Sequence, residues 1–119
     1  MGFTHVKVSV QNPTRREKGR EVELLIDTGA VISVIPKEIL KEIGIRAIGK
    51  RKFRVFGGEL IEREVGVVIM EYEDTCAGVT VAFGEEGDTP ILGVTALETL
   101  GYQVDPVTKK LKKVELLIV

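Results

Sequence analysis

The chain has 119 residues, a length that fits one domain, expected to span residues 1–119. Its 17 Lys and Arg nearly balance 18 Asp and Glu, for a formal charge of −1, so neither nucleic acid nor a membrane surface is indicated as a partner. Cys76 stands alone and His5 is the only histidine, which excludes an internal disulfide and a Cys- or His-rich metal site within one chain.

The lone thiol suits a reducing compartment, and a cytoplasmic location is expected. Met1 to Val6 lacks the apolar run of a signal peptide. Val6 stands where a myristoylation signal wants Ser or Thr. No uninterrupted apolar run approaches the ~20 residues of a membrane helix. Glu, Lys and Arg are abundant while Asn and Gln are scarce (Gln11, Asn12, Gln103), a mix common in heat-adapted proteins.

In chain order, Val6, Val8 and Val10 alternate with polar residues and predict a first strand. Asn12 to Arg20, polar and containing Pro13 and Gly19, reads as a hairpin loop. Val22, Leu24 and Ile26 predict a second strand, with Leu25 apolar on its other face. Pro36 suits the first position of a short helix with Ile39, Leu40 and Ile43 on one face and Gly44 at its end. Phe53 to Ile61 reads as a hairpin turning at Gly57-Gly58. Val65, Val67 and Ile69, then Val79, Val81 and Phe83, predict two further strands. A second helix is expected over Thr95 to Leu100, with Thr95 and Glu98 in capping-box spacing and Gly101 as the stop. The chain closes on the apolar run Val114 to Val119, a terminal strand that needs a cover from its own sheet or from another chain. The fold class is therefore mainly β with two small helices, a closed barrel or a sandwich.

Two stretches carry chemistry. In Leu24-Leu25-Ile26-Asp27-Thr28-Gly29-Ala30 an apolar strand delivers a carboxylate, a small hydroxyl residue and a glycine that permits a tight turn. A carboxylate at the end of a buried strand is held rigidly and partly shielded from water, the setting in which acid–base behaviour is adjusted for catalysis. The second stretch, Pro90-Ile91-Leu92-Gly93 running into Thr95–Gly101, is an apolar strand, a glycine and a short helix. Asp74, Asp88 and Asp105 are not followed by Thr-Gly or Ser-Gly and read as turn residues.

Taken together, Asp27-Thr28-Gly29-Ala30 and Ile91-Leu92-Gly93 resemble the retropepsin family of aspartic proteases, as a single-domain prokaryotic- or archaeal-looking member. The resemblance covers about Val22 to Leu111. It implies a closed barrel of the acid-protease type with a glycine-tipped flap hairpin. It implies Asp27 as the catalytic aspartate and Thr28 as the hydroxyl bonding across to a partner protomer. It also implies Gly29 and Ala30 lining the site, with Leu92 and Gly93 supporting it from behind. Val55, Phe56, Gly57 and Gly58 would form the flap that meets substrate. No cofactor or metal is implied. The chemistry is peptide-bond hydrolysis through a water shared by two carboxylates. With one Asp-Thr-Gly in the chain, the second carboxylate must come from Asp27 of a homodimer partner. The terminal strand, or the strand from His5 to Val10, would supply interface sheet. The substrate would be an extended peptide or unfolded protein, with Ile32, Val55, Phe56 and Ile91 offering apolar pockets.

A Ser or Thr at position 30 could hydrogen-bond the carboxylate and favour its charged form. Ala30 cannot, so activity is expected to extend to weakly acidic or neutral pH. Two competing readings are a catalytically silent dimerisation or peptide-binding module of the same fold, and a cysteine hydrolase using Cys76, placed in a hairpin loop, with His5.

Overall fold

The computed structural model describes residues 4–116 and residue 118. Nine strands and two short helices occur among them. The strands are β1 (His5–Asn12), β2 (Arg15–Asp27), β3 (Ser33–Pro36), β4 (Gly49–Arg54), β5 (Leu60–Tyr72), β6 (Thr75–Gly84), β7 (Ile91–Gly93), β8 (Tyr102–Val104) and β9 (Leu111–Lys113). The helices are α1 (Lys37–Glu42) and α2 (Val94–Leu100). The mainly β class read from the sequence is the one observed.

The alternating valines of β1 place Val8 and Val10 in the core, and those of β2 place Val22 and Leu24 there. The two strands pair antiparallel, and the link between them is far shorter than the loop predicted over Asn12 to Arg20. Pairing runs out to Asn12 opposite Arg15, with a register shift between Gln11 and Asn12. Polarity in this stretch reflects a strand exposed on both faces, not an absence of pairing. Gly19 fits because a Cβ there would come 2.8 Å from Gln11 Cγ. Asn12 seats the turn: its Oδ1 accepts the Thr14 N–H at 3.0 Å, and its Nδ2 donates to the Ile43 carbonyl at 3.0 Å.

The main sheet runs β1-β2-β7-β3-β6-β5-β4, and β1 also pairs with β5 through Ser9–Gln11, so that six strands form a hydrogen-bonded ring with β4 outside it. Two of its pairings are parallel, β2 with β7 and β3 with β6. The core inside includes Leu24, Ile35, Leu40, Met70, Leu92 and Leu97, each essentially inaccessible to solvent.

β5 is a strand as expected, but its buried positions do not simply alternate: Val65, Val68 and Met70 are buried, while Val67 is exposed and Ile69 half-buried. The run from Val65 to Met70 is apolar on both faces, so alternation alone does not choose between them. Gly66 marks the inward side: a Cβ there would lie 3.0 Å from Ile45 Cγ2 and 3.0 Å from Phe83 Cε1.

The helices also depart from expectation at their starts. Pro36 is extended (φ −52°, ψ 133°) and precedes α1 rather than opening it. α2 begins at Val94, one residue before the predicted Thr95, and no Thr95–Glu98 capping box forms. Backbone carbonyls take that role, because Val94 N–H donates to Ala30 O at 2.8 Å and Thr95 N–H to Val31 O at 3.3 Å. Gly101 ends α2 in the left-handed region (φ 84°), as expected. β9 stops at Lys113, and Val114 to Leu116 is not strand. Leu117 and Val119 of the predicted terminal strand lie outside the described residues.

Candidate active site

Asp27 is the last residue of β2 and stands opposite Gly93 in the parallel pairing with β7. The register Leu25–Ile91, Ile26–Leu92, Asp27–Gly93 joins the two stretches singled out in the sequence into one element. Thr28, Gly29 and Ala30 then turn the chain away. Asp27 Oδ1 accepts the Gly29 N–H at 2.9 Å, and the Asp27 carbonyl accepts the Ala30 N–H at 3.1 Å. A Cβ on residue 29 would sit 3.3 Å from that Oδ1, a tight approach to the carboxylate.

Behind the loop the packing is tighter. A Cβ at residue 93 would meet Ile32 C and O at 2.8 Å and Ala30 O at 2.9 Å, all backbone atoms. Gly93 is therefore required by close approach. Its N–H donates to Ser33 Oγ at 2.9 Å, and Ser33 is 1% exposed. Sequence reasoning missed Ser33. Its signal was a hydroxyl inside the apolar run Val31-Ile32-Ser33-Val34-Ile35. Through Ser33, Ala30 and Val31, the loop is bonded at once to β7 and to the start of α2.

The Asp27 carboxylate is exposed in the single chain, contrary to the shielding expected of a strand-end residue. Thr28 and Gly29 are exposed too, and Val31 is 72% exposed. The Thr28 hydroxyl makes no hydrogen bond within the chain among the described residues. Thr28 borders a groove of about 390 Å³ that also touches Val94, Leu97, Tyr102, Val104 and Leu116.

The other aspartates are engaged elsewhere. The Lys113 ammonium lies 2.9 Å from Asp74 and holds that carboxyl below the usual range. The Arg63 guanidinium does the same for Asp88. Asp105 accepts the N–H groups of Val107 and Thr108 at 2.8 and 3.2 Å, which lower it in the same sense. All three lie in turns or loops, as the sequence implied, and Asp74 and Asp88 also form ion pairs.

The remaining candidates fall elsewhere. Val55, Phe56, Gly57 and Gly58 form the tip of the β4–β5 hairpin, and among the described residues they make no hydrogen bond to the Asp27 loop. The turn differs from the Gly57-Gly58 pair expected. Gly58 N–H bonds to Val55 O and Val55 N–H to Glu59 O, so three residues, Phe56 to Gly58, cross the end. Gly57 and Gly58 have φ of 102° and 90°, which their lack of a side chain permits. Phe56 is fully exposed. Val55, Ile32 and Ile91 are half-buried.

Cys76 is an exposed residue of β6, not of a loop. It stands opposite Glu71, which stands opposite Ser9 of β1. His5 lies further along β1, so thiol and imidazole are on the order of 15 Å apart from strand geometry. They do not form a nucleophile–base pair. Among the described residues no cluster of His, Cys, Asp and Glu could hold a metal ion, and no helix is long and apolar enough to cross a membrane.

The candidate site is thus an Asp-Thr-Gly at the end of a strand, paired in parallel with an apolar strand that ends in glycine and runs into a short helix. The aspartyl protease family model matches residues 6–96, and the chain belongs to that family, with a retropepsin-like fold. The EIAV protease, solved in complex with the inhibitor HBY-793, superposes with a TM-score of 0.59 at 19% identity, covering 98% of this chain and 94% of that one. A retropepsin-like aspartic protease from Rickettsia conorii gives a TM-score of 0.51 at 14% identity, covering 88% of this chain and 89% of that one. No curated protein matches the chain.

Proposed function

We propose that this chain is an aspartic endopeptidase whose active site is completed by a second copy. The observation that carries the reading is the state of Asp27. Its carboxylate is exposed, at the end of a braced strand, with one hydrogen bond from Gly29, while Asp74, Asp88 and Asp105 are each committed to another partner.

Hydrolysis of a peptide without a metal or covalent nucleophile needs a water made nucleophilic and an acid for the leaving nitrogen. Two carboxylates about 3 Å apart supply both, because charges that close share one proton. Aspartic proteases as a class use this shared-proton chemistry. The ionised carboxylate accepts a proton as the water oxygen adds to the scissile carbon. The protonated one donates to the carbonyl oxygen, and the leaving nitrogen is protonated as the C–N bond breaks. With one Asp-Thr-Gly per chain, the second carboxylate is Asp27 of a twofold-related copy.

Exposure of Thr28 and Val31 beside Asp27 fits a surface that a second copy covers. On this reading Thr28 bonds across the dimer axis, Gly29 and Ala30 line the cleft, and Leu92 and Gly93 support it. The strand ring is the closed barrel of the acid-protease type, and residues 1–119 form one domain. The β4–β5 hairpin, with Val55, Phe56, Gly57 and Gly58, is the flap over an extended peptide or unfolded protein bound by strand-like main-chain contacts. The terminal run Val114 to Val119, or the strand from His5 to Val10, whose outer edge before Ser9 is unpaired among the described residues, supplies interface sheet. The protein works in the cytoplasm, without nucleic acid, membrane, metal or cofactor.

The test is cleavage of a diverse peptide mixture between pH 3 and 7.5, read by mass spectrometry, with wild type and Asp27→Asn. Cleavage confined to the wild type supports the reading. Equal cleavage by a folded variant rejects it. No cleavage by either favours a peptide-binding module of the same fold.

A further inference from the structure

The β4–β5 hairpin stands apart from the ring. β5 pairs with β6 only from Val65 to Tyr72, whereas β4 pairs with β5 from Val65 back to Leu60. Residues 49–64 are thus a two-stranded projection, and two strands alone are marginally stable in water. Lys50, Lys52, Glu62 and Glu64 face solvent.

Among the described residues, one hydrogen-bonded side-chain ion pair ties this projection to the rest of the protein. Arg63 Nε donates to Asp88 Oδ2 at 2.7 Å and Nη2 to Asp88 Oδ1 at 2.9 Å, a two-pronged fork. Arg63 Nη1 donates to its own strand at Glu62 O, 2.9 Å. The two side chains are 19% and 23% exposed, so the pair is less screened than a surface ion pair.

Asp88 is itself fixed. Its Oδ2 also accepts the Glu85 N–H at 2.8 Å, its N–H donates to Glu85 O at 3.0 Å, and Lys37 holds Glu85 at 2.6 Å. Just beyond Asp88, Pro90 O accepts the Leu25 N–H, and Ile91–Gly93 then pair with Leu25–Asp27. The fork therefore joins the base of the projecting hairpin to the segment that braces Asp27.

Resting on the reading of the site as a protease, we propose that Arg63 and Asp88 are a positioning pair that sets the angle of the hairpin over the cleft and so how tightly peptide is held. Neither residue touches the reacting atoms. Arg51 lies opposite Arg63 across the strands, so Asp88 also relieves a like-charge pair inside the hairpin. Losing Asp88 leaves those cations opposed, whereas losing Arg63 does not. Asp88→Asn should therefore loosen the hairpin more than Arg63→Gln.

The test combines hydrogen exchange with steady-state peptide cleavage in wild type, Arg63→Gln, Asp88→Asn, the double variant and Arg63→Lys. Exchange over residues 49–64 should quicken about tenfold in Arg63→Gln, the size expected for losing a charge-assisted bond, and further in Asp88→Asn. Exchange over residues 24–30 should hold. KM should rise about tenfold with kcat within about threefold, Arg63→Lys should fall between, and the double variant should be no worse than Asp88→Asn. Unchanged hairpin exchange in both single variants, exchange rising uniformly over the whole chain, or loss of kcat at constant KM overturns the proposal. The exchange arm needs no turnover. If wild type and Asp27→Asn alike cleave nothing, the protease reading fails, while hairpin exchange still decides whether the pair anchors the projection.

Discussion

Gly93→Ala is the sharpest perturbation this site offers. The added methyl would sit 2.8 Å from the carbonyl carbon and oxygen of Ile32 and 2.9 Å from the carbonyl oxygen of Ala30. Those atoms are backbone, already committed to the loop that carries Asp27, and cannot swing aside as a flexible side chain would. Overpacking of this kind costs about 1–3 kcal/mol. Displacing residue 93 also stretches its hydrogen bond to the buried Ser33 hydroxyl, for about 1 kcal/mol more. A total of about 3 kcal/mol is a large share of the 5–15 kcal/mol typical of a domain, and lowers Tm by about 10 °C. Gly78→Ala is the control, since its nearest neighbour would be Ile69 Cδ1 at 3.9 Å. That change should be neutral or stabilising by about 0.5 kcal/mol. Urea unfolding at one fixed protein concentration measures both. Gly93→Ala as stable as wild type, or no less stable than Gly78→Ala, would refute the close-approach argument.

Ser33→Ala strands the Gly93 N–H in a buried site and should cost about 1–3 kcal/mol by the same urea titration. Asp88 is held below its ordinary 3.8 chiefly by Arg63, so its contribution to stability is full above that unfolded value and fades as pH falls through the lower folded one. The stability difference between wild type and Asp88→Asn should therefore be constant from pH 7 to pH 5 and shrink only in strong acid, as urea titrations across that range would reveal. Because Ala30 offers the Asp27 carboxylate no hydroxyl, peptide cleavage should persist at pH 5 to 7. A pH–rate profile confined below pH 3 contradicts this.

The parts of the fold that were legible in the sequence are those in which one face is apolar and the other polar. Val8 and Val10, Val22 and Leu24, and Val79, Val81 and Phe83 are spaced two apart and all are buried. β5 was legible as a strand, but Val65 to Met70 is apolar on both sides, so its inward face was not. The long hairpin at Asn12–Arg20 was misread because its two polar faces look like a loop. The capping of α2 was misread because its partners, Ala30 and Val31, are remote in sequence and act through their backbones. At the site, Asp27 to Ala30 and Leu92-Gly93 were legible as residue types in order. Their parallel pairing, the role of Ser33 and the Arg63–Asp88 fork are long-range and leave no local pattern.

The central claim is that one site is built from two copies of Asp27. Titrating folded Asp27→Asn protein into a fixed amount of wild type, at concentrations where dimers form and exchange, tests it most directly. If each site needs both carboxylates, mixed dimers are dead, and activity falls to about half at equal amounts and to about a tenth at ninefold excess of the variant. Activity that stays constant at every ratio would mean that a single chain carries the whole catalytic apparatus, and would contradict the shared site.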